Sequence, residues 1–232
     1  HLSHASAAYF ASPWWRNEKV LVLTNDGGGD GLCATVSIGE NGKLTKLVSI
    51  PVSESVGYVY SMITFLLGMV PEEHEYKVMG LAPYSHSSKY QQLLKKFESY
   101  FQFIEPDKGI TWHRANGCPS TQYSYGFFKK LIELERFDQV SGAIQEFLEN
   151  FLSTWIKNCI NATKIKKVAL SGGIFLNVKA NKKILELPEL DELFVFPSCG
   201  DPTNSIGASY HVYFNKCESS KEKDNLSPLT HL

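Results

Sequence analysis

Val168-Ala-Leu-Ser-Gly-Gly-Ile-Phe-Leu-Asn177 is the stretch whose reading decides the fold. Val168 to Leu170 is apolar without alternation, as in a strand buried on both faces. Gly172 and Gly173 follow, and Ile174 to Leu187 then carries helical spacing with no breaker. A strand that stops at paired glycines and turns into a helix exposes backbone N–H groups and a positive dipole end. That combination suits an anion such as phosphate. Many strand-to-helix connections use glycine merely to turn, so the phosphate reading needs a second element.

Val20-Leu-Val-Leu-Thr-Asn-Asp-Gly-Gly-Gly-Asp-Gly31 supplies one. It is a second buried strand ending in an acidic, glycine-rich turn. Leu32 to Ile38 then alternates as a strand, and Lys43 to Pro51 alternates again after Glu40-Asn-Gly. This loop therefore joins two strands of a meander, unlike a Walker loop or a dinucleotide fingerprint, which both lead into a helix. A hairpin tip with Asp26, Asp30 and several glycines, among them Gly28 and Gly29, can approach a phosphate and its metal closely. Asp-Gly also suits a plain type I′ turn.

Ser55 to Gly68 reads as an apolar helix with Ser55 as its cap. Residues 70 to 136 read as an irregular insertion whose one regular piece is a helix from Ser87 to Phe103. Asp138 to Thr163 is the strongest helix, with Val140, Ile144, Phe147, Phe151, Trp155, Cys159 and Ile160 on one stripe. Strand Leu193–Phe196 and helix Asn204–Phe214 close the pattern. The order β-β-β-α, insertion, α-β-α-β-α predicts an α/β fold with a mixed five-stranded sheet and helices on both faces. This is the ribonuclease-H-like arrangement of one half of an actin-like ATPase fold. Three parts are expected: an N-terminal segment over 1–18, the actin-like domain over 19–216, and a polar tail or linker over 217–232.

Bulk properties narrow the class. Hydrophobic residues make up 43% of the 232, enough for a sizeable core, and Lys+Arg 23 against Asp+Glu 24 leaves a formal charge of -1. No basic run points to nucleic acid. Five cysteines, with no CxxC, read as reduced core thiols of a cytoplasmic protein. No stretch reaches membrane-spanning length and no signal peptide is present. The absence of an initiator Met suggests an excised or processed segment.

A third signal lies after the last strand, in Phe196-Pro-Ser-Cys-Gly-Asp-Pro-Thr-Asn-Ser-Ile-Gly-Ala208, which puts Asp201 at the strand's exit. His1 and His4 are spaced to share a helix face. Imidazole and carboxylate together suit iron, zinc or manganese. Taken alone, the histidines also fit a frayed terminus, and Asp201 fits a helix cap.

With His1-Leu-Ser-His-Ala, Ser55-Val-Gly-Tyr-Val-Tyr-Ser61 and Glu75-Tyr-Lys-Val-Met-Gly-Leu-Ala-Pro-Tyr84, these segments resemble the O-carbamoyltransferase family. That family includes nodulation-factor, aminoglycoside and cephem carbamoyltransferases, and the blocks run in its order across residues 1 to 210. The resemblance implies transfer of a carbamoyl group from carbamoyl-adenylate, made from carbamoyl phosphate and ATP, to a hydroxyl of a small-molecule acceptor. It implies His4, Asp201 and Asp26 as ligands of a divalent metal, Fe(II) before Zn or Mn. The first histidine of the family's HxxxH pattern would precede His1, and His74 and Ser85 stand where the family has glycine. The resemblance further implies that the first actin-like half and an adenylate-forming domain lie outside this chain, which is a fragment or a stand-alone homologue.

On that reading Ser171, Gly172, Gly173, Gly28 and Gly29 hold the phosphate, and Asn177 and Asn181 face the nucleotide sugar. Lys77 neutralises the leaving group, and His74 or Asp30 acts as the base. Trp112, His113, Tyr123 and Tyr125 shape the acceptor pocket or a homodimer surface. A sugar kinase or ATPase of the same superfamily, and a non-catalytic nucleotide-binding remnant, are the alternatives.

Overall fold

The expected strand Val20–Thr24 lies at the centre of the sheet in the computed structural model, which describes residues 1–120 and 123–216. The sheet has five strands in the order β3-β2-β1-β6-β7. These are β1 (Val20–Gly29), β2 (Leu32–Glu40), β3 (Lys43–Pro51), β6 (Lys167–Ser171) and β7 (Glu192–Val195). The first three form an antiparallel meander. β1 then pairs in parallel with β6, Leu23 opposite Leu170 and Thr24 opposite Ser171, and β6 pairs in parallel with β7.

The unbroken apolar runs of β1 and β6 follow from this position, because both faces of each strand are covered. Val20, Val22 and Ala169 meet α1 (Leu2–Ala11) and α8 (Asn204–Lys216) through Tyr9, Phe10 and Phe214. Leu21, Leu23, Val168 and Leu170 face the larger core under α2 (Val56–Leu66), α6 (Phe137–Thr163) and α7 (Val178–Leu185). The α6 stripe is buried as expected. Ser55 caps α2, its hydroxyl accepting the Tyr58 N–H at 3.0 Å.

Three local readings are corrected. The helix expected from Ile174 begins only at Val178: a 3-10 turn occupies Gly173–Leu176, and Asn177 caps α7 by accepting the Ala180 N–H at 3.1 Å. A capping side chain at Asn177 competes with helix propagation through it. The insertion is far more regular than read. It holds α3 (Glu75–Leu81), α4 (Ser87–Ser99), a hairpin of β4 (Phe101–Phe103) and β5 (Trp112–Arg114), and α5 (Tyr125–Ile132). The helix expected to Phe103 stops at Ser99, and Phe101 and Phe103 continue as strand. Third, Trp112 shapes no pocket. It is buried edge-on against Phe151 and Trp155, and its indole N–H donates to the Glu54 carbonyl.

The N-terminal segment is continuous with the domain. α1 runs beside α8 with Ser3 against Gly207, where a Cβ on Gly207 would collide with the Ser3 carbonyl. Phe10 and Phe214 stack further along, their centroids 4.0 Å apart. Cys33, Cys118, Cys159 and Cys199 are buried free thiols. The expected tail 217–232 lies outside the described residues. Among the described residues, no helix is long and apolar enough to cross a membrane.

Candidate functional site

Parallel pairing brings the carboxyl ends of β1, β6 and β7 to one edge of the sheet, the usual place for a site in such folds. A cleft of about 580 Å³ opens there. At its inner end three side chains from distant parts of the chain converge. His4 comes from α1, Asp26 from the end of β1, and Asp201 from the 3-10 turn before α8. His4 Nε2 lies 3.0 Å from Asp26 Oδ2 and 3.4 Å from Asp201 Oδ1. One ligand atom from each of the three can be chosen so that all lie within 4.8 Å of one another. Separations of that order fit one ion with ligand distances near 2 Å. The imidazole is 3% exposed and the Asp201 side chain 83%, so the cluster is closed behind and open towards the cleft.

Burial alone would raise the Asp26 carboxyl. The His4 ring, 3.0 Å away, and the N–H groups of Gly27 and Gly173 outweigh it and hold the carboxyl below its usual range. The carboxylate is therefore ready as a ligand. His1 turns away: its Nδ1 lies 2.9 Å from Thr24 Oγ1 and its Nε2 3.0 Å from the Leu32 carbonyl.

The Gly172-Gly173 turn packs against β1 and the Asp26 carboxylate. Gly172, with φ at +114°, lets β6 close against Asn25, and a Cβ there would strike the Asn25 carbonyl. A Cβ on Gly173 would lie 2.8 Å from Asp26 Oδ1, so this glycine makes room for the carboxylate and donates to it. In the hairpin, the Tyr58 ring packs 3.0 Å from where a Cβ on Gly27 or Gly28 would stand. The first turn of α2 contributes Gly57 and Tyr58 to the wall, beside Asn177 at the start of α7 and Glu75 at the start of α3. Gly57 sits against the Asp26 carbonyl, with room for a Cβ only at 3.0 Å.

Of the residues expected at the site, Asp26, Gly28, Gly173, Asn177 and Asp201 line the cleft, and His4 lies directly behind it. The others do not line it. Ser171 is wholly buried beside His4, with Gly172 next to it. Gly29 and Asp30 reach the hairpin tip, where the Asp30 side chain is 78% exposed. His74 precedes α3 and accepts the Val70 N–H. Lys77 lies over the ring of Tyr76, and Asn181 donates to the Phe175 carbonyl. Sequence reasoning missed Tyr58, Tyr60, Glu72, Glu73 and Glu75. Gly57 within the recognised α2 block was the available signal, since a glycine in a first helical turn permits close backbone approach.

The carboxylates of Asp26, Glu72, Glu73, Glu75 and Asp201 line the cleft, and no Lys or Arg among the described residues does. The imidazole–carboxylate donor set of His4, Asp26 and Asp201 is one that could hold a divalent metal ion.

The profile of the family described as "Carbamoyltransferase N-terminus" matches residues 1–210. The chain belongs to the carbamoyltransferase family. It is 30% identical over 230 residues to nodulation protein NolNO of Sinorhizobium fredii, covering 99% of this chain and 32% of that protein. It is 30% identical over 213 residues to nodulation protein NolO of Bradyrhizobium diazoefficiens, covering 91% of this chain and 37% of that protein. The chain thus spans about a third of the length of these relatives. The fold is similar to that of full-length HypF, solved in a phosphate- and nucleotide-bound form. The TM-score is 0.53 at 14% identity, covering 95% of this chain and 43% of that one.

Proposed function

We propose that this chain forms the transferase site of an O-carbamoyltransferase, passing a carbamoyl group from carbamoyl-adenylate to a hydroxyl of a small-molecule acceptor. Carbamoyl phosphate and ATP are the precursors of that adenylate, and the remaining two thirds of a protein of the relatives' length would supply its synthesis and the facing wall of the cleft. The observation that carries the reading is the meeting of His4, Asp26 and Asp201 at the inner end of an acidic cleft, in a chain of this family. A divalent cation held there would act as a Lewis acid on the phosphate or the carbamoyl carbonyl.

The chain's own groups do the rest. The hairpin at Gly27–Gly28 and the first turn of α2 offer close backbone approach and a positive dipole end to the adenylate phosphate. Asn177 lines the cleft with its amide oxygen taken by Ala180 and Gln145 and one N–H given to Gln145, which leaves a single N–H for the nucleotide. The acceptor enters past α3. Because His74 and Asp30 stand off the cleft, its proton passes to a carboxylate of the wall, Glu72 or Glu73.

The test is elemental analysis and carbamoyl transfer by the whole protein, wild type against Asp201→Ala and His4→Ala. Near-stoichiometric metal in the wild type, with metal and activity both lost in the variants, is expected. A metal-free wild type, or full transfer by Asp201→Ala, overturns the reading.

A further inference from the structure

Two hydroxyls behind His4 are spoken for in a way that decides which ring nitrogen faces the cleft. Ser171 closes β6, and its Oγ lies 3.3 Å from His4 Nδ1 and donates to the Cys199 carbonyl at 3.3 Å. Thr203 closes the turn before α8. Its Oγ1 lies 3.4 Å from the same Nδ1 and donates to the Gly200 carbonyl at 2.8 Å. A hydroxyl has a single proton. The shorter contact commits the Thr203 proton to the Gly200 carbonyl, and Ser171, equidistant from Nδ1 and the Cys199 carbonyl, can give its own proton to that carbonyl. Both hydroxyls then turn lone pairs to Nδ1, which carries a hydrogen shared between two oxygens of residues that are 0% and 2% exposed. The opposite nitrogen, Nε2, faces the carboxylates of Asp26 and Asp201.

We propose that Ser171 and Thr203 are positioning residues that hold His4 as the Nδ1–H tautomer, so that Nε2 presents its lone pair to the cation. The inference rests on the metal reading above. Ser171 thereby leaves the nucleotide set and joins the support of the histidine. The arrangement is a hydroxyl form of the partner that metal-bound histidines generally find for their second nitrogen. It also ties the site to two strand exits at once. The acceptor carbonyls, Cys199 and Gly200, both follow β7, and the Cys199 carbonyl further accepts the Gly172 N–H at 2.7 Å. A shift of either loop would release the ring.

Zn(II), which is diamagnetic, is the probe. Its affinity is measured by calorimetry on the whole protein for wild type, Ser171→Ala, Thr203→Val and the double variant. Ring nitrogens of His4 are read by long-range ¹H–¹⁵N spectra of the Zn(II)-loaded forms. The wild type should show a protonated Nδ1 and a coordinated Nε2. The double variant should bind Zn(II) about ten- to a hundredfold more weakly, with loss of the single Nδ1–H pattern. Thr203→Ser, which keeps the hydroxyl, should retain both affinity and spectrum, and thermal melts separate misfolding from misplacement. A wild type that takes up no Zn(II) overturns the metal reading and this inference together. Zn(II) uptake that is equal in the wild type and the folded double variant, or a wild type coordinated through Nδ1, overturns this inference alone.

Discussion

At Gly173 the missing side chain serves a neighbour. Its φ is not left-handed, and the space a Cβ would take is held by Asp26 Oδ1 at 2.8 Å. Gly173→Val should therefore displace the carboxylate and weaken Zn(II) or Fe(II) binding by about tenfold or more, the scale of a lost supporting contact. Calorimetry checks this, and unchanged metal affinity in a folded variant would refute it. Gly28 makes a contrasting case: an added Cβ comes 2.5 Å from Val52 Cγ2 and 3.0 Å from Tyr58. Gly28→Ala should destabilise the fold by about 1–3 kcal/mol, the usual penalty of overpacking, seen as a lower urea midpoint. Both glycines were visible in the sequence as a loop signal, and Asp26 and Asp201 as acids at strand exits. What each glycine accommodates was not visible, because Tyr58, Val52 and Asp26 reach them only through sheet pairing and the packing of α2.

The elements that set the site are α1 and α8. Their close crossing at Ser3 and Gly207 brings His4 beside Asp201. Gly207→Ala should push the helices apart. The expected result is about 1–3 kcal/mol of lost stability together with lost metal, measured by thermal melting and elemental analysis. A variant that loses stability but keeps its metal would show that the crossing does not set the ligand geometry. Helix α2 depends on its cap in the ordinary way, and Ser55→Ala should cost about 1 kcal/mol in chemical denaturation. Long periodic elements were legible in the sequence: α6, α2, β2, β3 and β6 appear within a residue or two of their expected bounds, whereas β1 runs on from Thr24 to Gly29 through the stretch read as a turn. The helix after Gly172-Gly173 was misread because Ile174, Phe175 and Leu176 satisfy an apolar period yet sit in a 3-10 turn held by the Asn177 cap. Phe101 and Phe103 were misread for the reverse reason: Phe101 continues the spacing of α4, although both residues alternate in a strand that lays aromatic rings on α6.

Across the whole molecule, several protonated groups are stored in the core. Burial pushes the thiols of Cys33 and Cys199 from 9.0 up to about 12 and the phenol of Tyr9 from 10.0 up to about 12. The unfolded chain releases these protons first, so between pH 9 and 12 the native state binds more of them. Stability should thus be fully present below pH 9 and fall as pH rises, by about 1.4 kcal/mol per pH unit for each such group. Urea midpoints at pH 8, 9, 10 and 11 measure the slope, and Cys33→Ala should flatten it; a midpoint that stays constant to pH 11 would contradict this. The sequence by itself determined the order of the elements, the two-sided burial of β1 and β6, the mixed five-stranded sheet and the family, since each is written in local periodicity, turn chemistry and contiguous motifs. Through the family resemblance it also named the three residues of the candidate metal centre, His4, Asp26 and Asp201. Only the tertiary structure decided that these residues meet, that the first turn of α2 joins the cleft wall, and that Ser171, Lys77, His74 and Asp30 do not line it. Those outcomes depend on contacts between residues up to 199 positions apart, such as Thr203 with His4. Such contacts are fixed by the burial of helices on the two faces of one sheet, and no local pattern records them.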